Sequence, residues 1–159
     1  MKKLKLKDLI EQLETLTEEH TYCYNTKTGE IVFVSELIFR AIEMEDDDLD
    51  GYYDWEKDEI ELAIEIDKDL ANIYIPLPSI EDIGEYSIME DFCYQLKDKK
   101  IREKFLNDIN GKGAFRRFDE NLEEYDLEQQ WHEYKKNALK EIAIEWCEEN
   151  NIEFEWLYK

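Results

Sequence analysis

The period of the apolar positions changes along the chain. Leu6, Leu9, Ile10, Leu13 and Leu16 recur at helical spacing, and Asp8 followed by Glu11 has the form of a capping box starting that helix. Tyr22 and Tyr24 then alternate with Cys23, and Ile31 and Phe33 with Val32 and Val34, on either side of Thr26-Lys27-Thr28-Gly29. This predicts a β-hairpin in which Gly29 supplies the positive φ of a bulged turn. Leu37, Ile38, Ala41 and Ile42 form a short helical face after Ser35, a good N-cap residue. Ile60, Leu62, Ile64 and Ile66 alternate as in a strand, but the Glu, Ala and Leu content of the segment favours a helix. Ile73-Tyr74-Ile75 reads as a strand whose ladder ends at Pro76 and Pro78.

Beyond Ser79 the pattern is helical almost to the end. Ile88, Met89, Phe92, Cys93 and Leu96 make one apolar face, and Ile101, Phe105, Leu106 and Ile109 a second. Gly111 and Gly113 break the run, and Ala114, Phe115, Phe118 and Leu122 begin a third helix. The longest helix carries Leu127, Trp131, Tyr134, Ala138, Ile142, Trp146 and Cys147 on its inner side, and Asn150-Asn151 stop it. Ile152, Phe154 and Trp156 then alternate as a terminal strand expected to rejoin the sheet. The pattern predicts an α+β fold over residues 1–159 as a single compact domain, with an N-terminal β-hairpin and small sheet packed with a mostly helical C-terminal half.

Composition supports a packed domain. Hydrophobic residues make up 43% of the 159, enough for a core, and only 5 Gly and 2 Pro leave the helices uninterrupted. No run approaches the roughly 18 apolar residues of a membrane span, and Lys2, Lys3, Lys5 and Lys7 precede an amphipathic pattern rather than a secretory one, so the expected address is the cytoplasm. Cys23, Cys93 and Cys147 are odd in number, widely spaced and set among apolar neighbours, as reduced core thiols would be.

The formal charge of −22 disfavours duplex nucleic acid as a partner, but the charge is unevenly spread. Lys97 to Arg117 holds eight basic and three acidic residues, net +5, whereas Glu43 to Asp69 is net −12. Within the basic stretch, Lys112, Arg116 and Arg117 lie beside the free amides of a helix that starts after Gly113, a pattern suited to a phosphate or a partner's carboxylate. The Gly111-Lys112-Gly113 turn lacks the spacing and the Lys-Ser/Thr ending of a phosphate loop. The same glycines also suit a tight helix–helix junction with Phe115 and Phe118 in the core and the arginines paired with surface acids.

Other chemistry is sparse. Asp46, Asp48 and Asp50, followed by Gly51 and Asp54, open like a calcium-binding loop, but the closing position is Lys57 with Glu56 one residue early, so a solvated acidic loop is expected. His20 and His132 are the two histidines; Glu128 and His132 share a helix face, which is too few ligands for a metal centre. Ser35, Ser79 and Ser87 lack a nucleophile-elbow context, and Cys147 beside Trp146 suits packing rather than thiolate chemistry. No catalytic residue and no cofactor is expected.

Asn25-Thr26-Lys27-Thr28-Gly29-Glu30, Tyr74-Ile75-Pro76-Leu77-Pro78-Ser79, Met89-Glu90-Asp91-Phe92, Gly111-Lys112-Gly113-Ala114-Phe115-Arg116-Arg117-Phe118 and Glu145-Trp146-Cys147-Glu148-Glu149 occur in that order. In these the chain resembles the bacterial uncharacterised protein family 0158, with Asp119-Glu120-Asn121 standing where that family tends to have a basic residue. The resemblance implies a bacterial, cytoplasmic protein and supplies no catalytic residues. The reading is a non-enzymatic interaction or regulatory module with a protein partner. Its alternatives are an acidic decoy imitating nucleic acid, and an enzyme whose carboxylates converge only in the fold.

Overall fold

The computed structural model describes residues 3–43 and 54–155. The element order is β1 (Leu4–Lys5), α1 (Leu6–Glu14), β2 (His20–Asn25), β3 (Glu30–Ser35), α2 (Glu36–Glu43), α3 (Asp54–Asp67), β4 (Tyr74–Pro76), α4 (Ile80–Ile83), α5 (Glu85–Tyr94), α6 (Lys99–Asp108), α7 (Ala114–Glu124), α8 (Glu128–Glu149) and β5 (Phe154–Glu155). This is the expected α+β arrangement, with the strands mostly N-terminal and the second half mostly helical. Two compact units divide the chain, one from residues 1–80 and 143–159, the other from residues 81–142.

In the first unit, β2 and β3 pair antiparallel from Asn25↔Glu30 to His20↔Ser35, and β4 adds to the other side of β2 with Tyr24↔Ile75. Gly29, at φ +78°, closes the hairpin, and its N–H bonds to the Asn25 carbonyl at 2.8 Å. The Asn25 carboxamide oxygen fixes the turn by accepting from the Lys27 and Thr28 amides. The Ser35 hydroxyl accepts from the Leu37 N–H at 3.3 Å, as an N-cap does at the start of α2. Val34 and Ala63 are fully buried with Ile38 and Ile60, and each buried aliphatic side chain contributes about 1.5–3 kcal/mol relative to exposure. The segment from Ile60 to Ile66 is indeed helical, its isoleucines packed around that cluster.

Two expectations are corrected here. Helix α1 begins at Leu6, two residues before Asp8, and Lys5 at its N-cap makes no side-chain capping bond. The start is set by β1, which hands the chain directly to a helix whose Leu6, Leu9, Ile10 and Leu13 are buried; Asp8 serves the first turn through its charge. The terminal strand does not rejoin the hairpin sheet: β5 pairs in parallel with β1 as a separate two-stranded sheet, Leu4↔Phe154 and Lys5↔Glu155. Trp156 lies outside the described residues.

The end of α8 has a sharp physical cause. Asn151 adopts φ +55°, its N–H bonds to the Glu148 carbonyl, and the Ile152 N–H bonds to the Cys147 carbonyl at 2.8 Å, a Schellman motif with Asn in the left-handed position. Within the first unit Trp146 fastens this end, its indole N–H donating to the Pro76 carbonyl at 2.9 Å and its ring meeting Tyr24 edge-on. Leu139 and Ala143 are also fully buried on α8, two positions absent from the stripe read in the sequence.

The second unit is built on aromatic rings. Phe92, Phe105 and Phe118 are buried with Met89, Cys93, Leu96, Ile109 and Leu122, and Trp131 and Tyr134 pack on them. Asp98 caps α6 by accepting from the Lys100 and Ile101 amides at 2.9 and 3.1 Å.

Candidate functional site

The basic stretch falls on α6, the turn after it and α7. Helix α6 ends at Asp108, and the chain reverses through two left-handed glycines, Gly111 at φ +76° and Gly113 at φ +83°. Arg117, one turn into α7, reaches back over this junction. Its Nε donates to the Asp108 carbonyl at 2.7 Å, Nη2 to Asn110 at 2.7 Å and Nη1 to Lys112 at 2.8 Å. A cation thus meets the negative end of α6, satisfying the carbonyl of its last residue and two carbonyls of the turn that follows. Gly113 suits this position through its backbone angle, and a Cβ there would lie 3.0 Å from Arg117 Nη1, which would have to give way.

Asp108 ties the same junction from its side chain. It accepts from the buried Asn121 Nδ2 at 2.8 Å and pairs with Lys104 at 3.3 Å. The Asn121 hydrogen bond, helped by Lys104 and Arg117, holds this carboxyl below the usual carboxylate range. A lowered folded-state pKa means stability that is complete above the unfolded value, about 4, and lost as the pH falls through the folded one. Asp108→Asn is therefore expected to flatten the acid limb of a stability-versus-pH curve below about pH 4; an unchanged limb in urea titrations would refute the assignment.

Lys112 and Arg116 behave differently from Arg117. Both are exposed, and neither side chain makes a hydrogen bond or ion pair to another described residue, although the Lys112 carbonyl accepts from Arg117. The first-turn amides of α7 receive no side-chain cap at Gly113. Phe115 was expected in the core beside Phe118; only Phe118 is, and Phe115 is 46% exposed. It lies at the margin of the buried arc of Ala114, Phe118, Asn121 and Leu122. There it meets Tyr86 edge-on at 6.3 Å; Tyr86 is 40% exposed, and its hydroxyl donates to the Ile109 carbonyl at 2.9 Å. Two accessible rings and two accessible cations thus share one junction. The sequence signal for Arg117 was a cation four residues after the second glycine, within reach of the carbonyls that the turn leaves open.

Asp46, Asp48 and Asp50 lie outside the described residues, between α2 and α3. Among the described residues no group of three His, Cys, Asp or Glu is placed to hold a metal ion. Glu128 and His132 are exposed on α8, while His20 meets the Thr17 hydroxyl at 2.9 Å and stacks edge-on with Phe33. The three cysteines are buried and unbridged. Burial pushes the Cys23 and Cys147 thiols up to about 11 and Cys93 up to about 12, which keeps them protonated at neutral pH. No helix among the described residues is long and apolar enough to cross a membrane.

The junction motif, Gly111 to Phe118, is also the most specific string of the family resemblance. No solved structure matches the chain. A UPF0158 protein of Pseudomonas aeruginosa is 26% identical over 96 residues, which cover 60% of this chain and 61% of that relative. The chain thus spans less than two thirds of that relative's length. Because the profile of the Uncharacterised protein family (UPF0158) matches residues 2–157, nearly the full length, the chain belongs to that family.

Proposed function

We propose that the protein is a non-enzymatic interaction module that binds an acidic segment of another protein through Lys112, Phe115, Arg116 and Tyr86. The observation that carries this reading is the exposure of Phe115 and Tyr86 as a packed pair beside two cations without partners among the described residues. Aromatic rings and Arg are enriched where protein surfaces meet, and cations on a strongly acidic body favour an anionic partner. Arg117 supports the reading indirectly: by holding the turn it presents its neighbours on a fixed frame, which reduces the ordering cost of binding.

The test is affinity capture from the native bacterial lysate at moderate and high salt. It compares the unaltered protein with Lys112→Glu/Arg116→Glu and with Phe115→Ala, leaving Arg117 intact. A partner retained by the unaltered chain should be lost from both variants while their melting temperatures stay within about 2 °C, since exposed changes of this kind cost at most about 0.5 kcal/mol. Unchanged capture by the charge-reversed protein would refute the reading.

A further inference from the structure

The hairpin sheet has two edges of different character. On one side lies β4, three residues long and ending in Pro76, which cannot donate to a ladder. On the other lies β3, Glu30-Ile31-Val32-Phe33-Val34-Ser35, paired one-to-one with β2 without a bulge. This strand carries no Lys and no Pro, two of the devices by which proteins blunt an exposed edge, and Glu59 of α3 covers only its Ser35 end.

The direction of its free groups follows from the hydrogen bonds around it. The Tyr22 carbonyl accepts from Leu77 and the Thr26 N–H donates to Ile73, so Tyr22, Tyr24 and Thr26 turn their backbone groups toward β4. Thr21, Cys23 and Asn25 therefore serve β3, through their partners Val34, Val32 and Glu30. Ile31, Phe33 and Ser35 then point their N–H and C=O away from the sheet. The Ser35 N–H is taken by the Glu59 carboxylate at 2.8 Å, whereas those of Ile31 and Phe33 have no hydrogen-bond partner among the described residues.

The surroundings specify a ligand. Phe33 is 54% exposed and forms a platform with Tyr22 and His20, at ring distances of 5.9 and 5.5 Å. Carboxylates flank the edge, Glu30 at its start, Glu36 and Glu59 at its end, where they accept from the Thr21 hydroxyl and the Ser35 N–H, with Glu18 and Glu19 before β2; between Glu18 and Glu36 Lys27 is the one Lys or Arg. At the Ile31 end the edge opens into a groove of about 650 Å³ where Asp8, Glu11 and Glu30 outnumber Lys3 and Lys5, which leaves room for a chain to run on. We infer that β3 is a strand-addition site for an extended segment of another protein in which apolar residues alternate with Lys or Arg. Backbone pairing to Ile31 and Phe33 supplies the register, apolar side chains cover Phe33, and basic ones meet the flanking carboxylates. This surface lies in the first unit and does not depend on the cationic one proposed above.

The probe is an octapeptide of alternating valine and lysine, compared with two isomers of it N-methylated on alternate amides in opposite phase, all of equal charge. Amide hydrogen exchange is followed in the full chain. In the free protein Ile31 and Phe33 should exchange fast, and the unmethylated peptide at about ten times its Kd should slow both roughly tenfold. One methylated phase should keep that effect and the other lose it, because only one blocks the N–H groups facing β3. Phe33→Lys, a change at an exposed side chain, should abolish protection without lowering the melting temperature. Slow exchange already present in the free protein, equal action of both methylated phases, or no protection by any peptide would each overturn the inference.

Discussion

Phe118→Ala is expected to destabilise the protein by about 3–5 kcal/mol, the cost of emptying a large aromatic site that cannot collapse. Phe118 is 1% exposed, and its ring meets those of Phe92, Phe105 and Trp131 edge-on at 6.0, 5.8 and 4.8 Å. Removing it leaves three large rings facing a void, and rings of that size do not repack by small rotations. Phe118→Leu should recover part of the loss, because it refills much of the volume without the edge contacts. The adjacent comparison is Phe115→Ala on the same helix, where the ring is half exposed and the loss should stay near 0.5 kcal/mol. Urea denaturation of the three variants decides it. A Phe118→Ala loss no larger than that of Phe115→Ala would mean that the aromatic cluster does not hold the second unit together.

That pair of phenylalanines also shows how far the sequence could be read. Period identifies a helix and its average apolar face, and it placed α5 to α8, the hairpin, and even the ambiguous Ile60 to Ile66 segment correctly. It does not say how wide the buried arc is at each turn. Phe115 and Phe118 fit the same apolar stripe, yet Phe118 is enclosed by the rings of Phe92, Phe105 and Trp131, whereas Phe115 meets Tyr86 at the surface. Stops written in residue chemistry were legible: Gly29 in the hairpin and Asn151 at the end of α8 sit where a positive φ is required. Starts and partners that depend on distant chain were not. The first residue of α1 is fixed by β1, and β1 is paired with β5, 150 positions away from Leu4 to Phe154; a two-residue ladder carries too little pattern to name its partner.

The candidate surface was legible in the same partial way. Charge counting singled out Lys112, Arg116 and Arg117 together, since adjacent cations look alike in a sequence. What separates them is the destination of their donors. Lys112 and Arg116 are exposed, whereas Arg117 is committed to three carbonyls, and only coordinates reveal that. The place of β3 at the end of the order β3-β2-β4 was less visible still, because a strand's place in a sheet is decided by which neighbours arrive, not by its own alternation.

Arg117→Ala should therefore act on folding rather than on binding alone, with an expected loss of about 1.5–3 kcal/mol, the range for hydrogen bonds from a charged group. The three bonds will not add, because carbonyls at a partly exposed turn recover water when the guanidinium leaves. Arg117→Lys is the informative companion. It keeps the charge near the end of α6, but an ammonium on a flexible stem cannot aim donors at Asp108, Asn110 and Lys112 in the plane that the guanidinium fork matches. If the clamp works chiefly through geometry, the lysine variant should recover less than half of the loss; if charge against the helix end dominates, it should recover most of it and the remainder should depend on salt. Gly113→Ala tests the same packing from the other side, since its Cβ would press on Arg117 Nη1 from 3.0 Å in a backbone conformation that favours glycine. It should destabilise the Arg117 protein by more than it destabilises Arg117→Ala, where the steric part of the penalty is gone and only the backbone part is left. Equal losses for Gly113→Ala in the two backgrounds would show that the contact is incidental, and a melting temperature unmoved by Arg117→Ala would show that the three hydrogen bonds hold nothing in place.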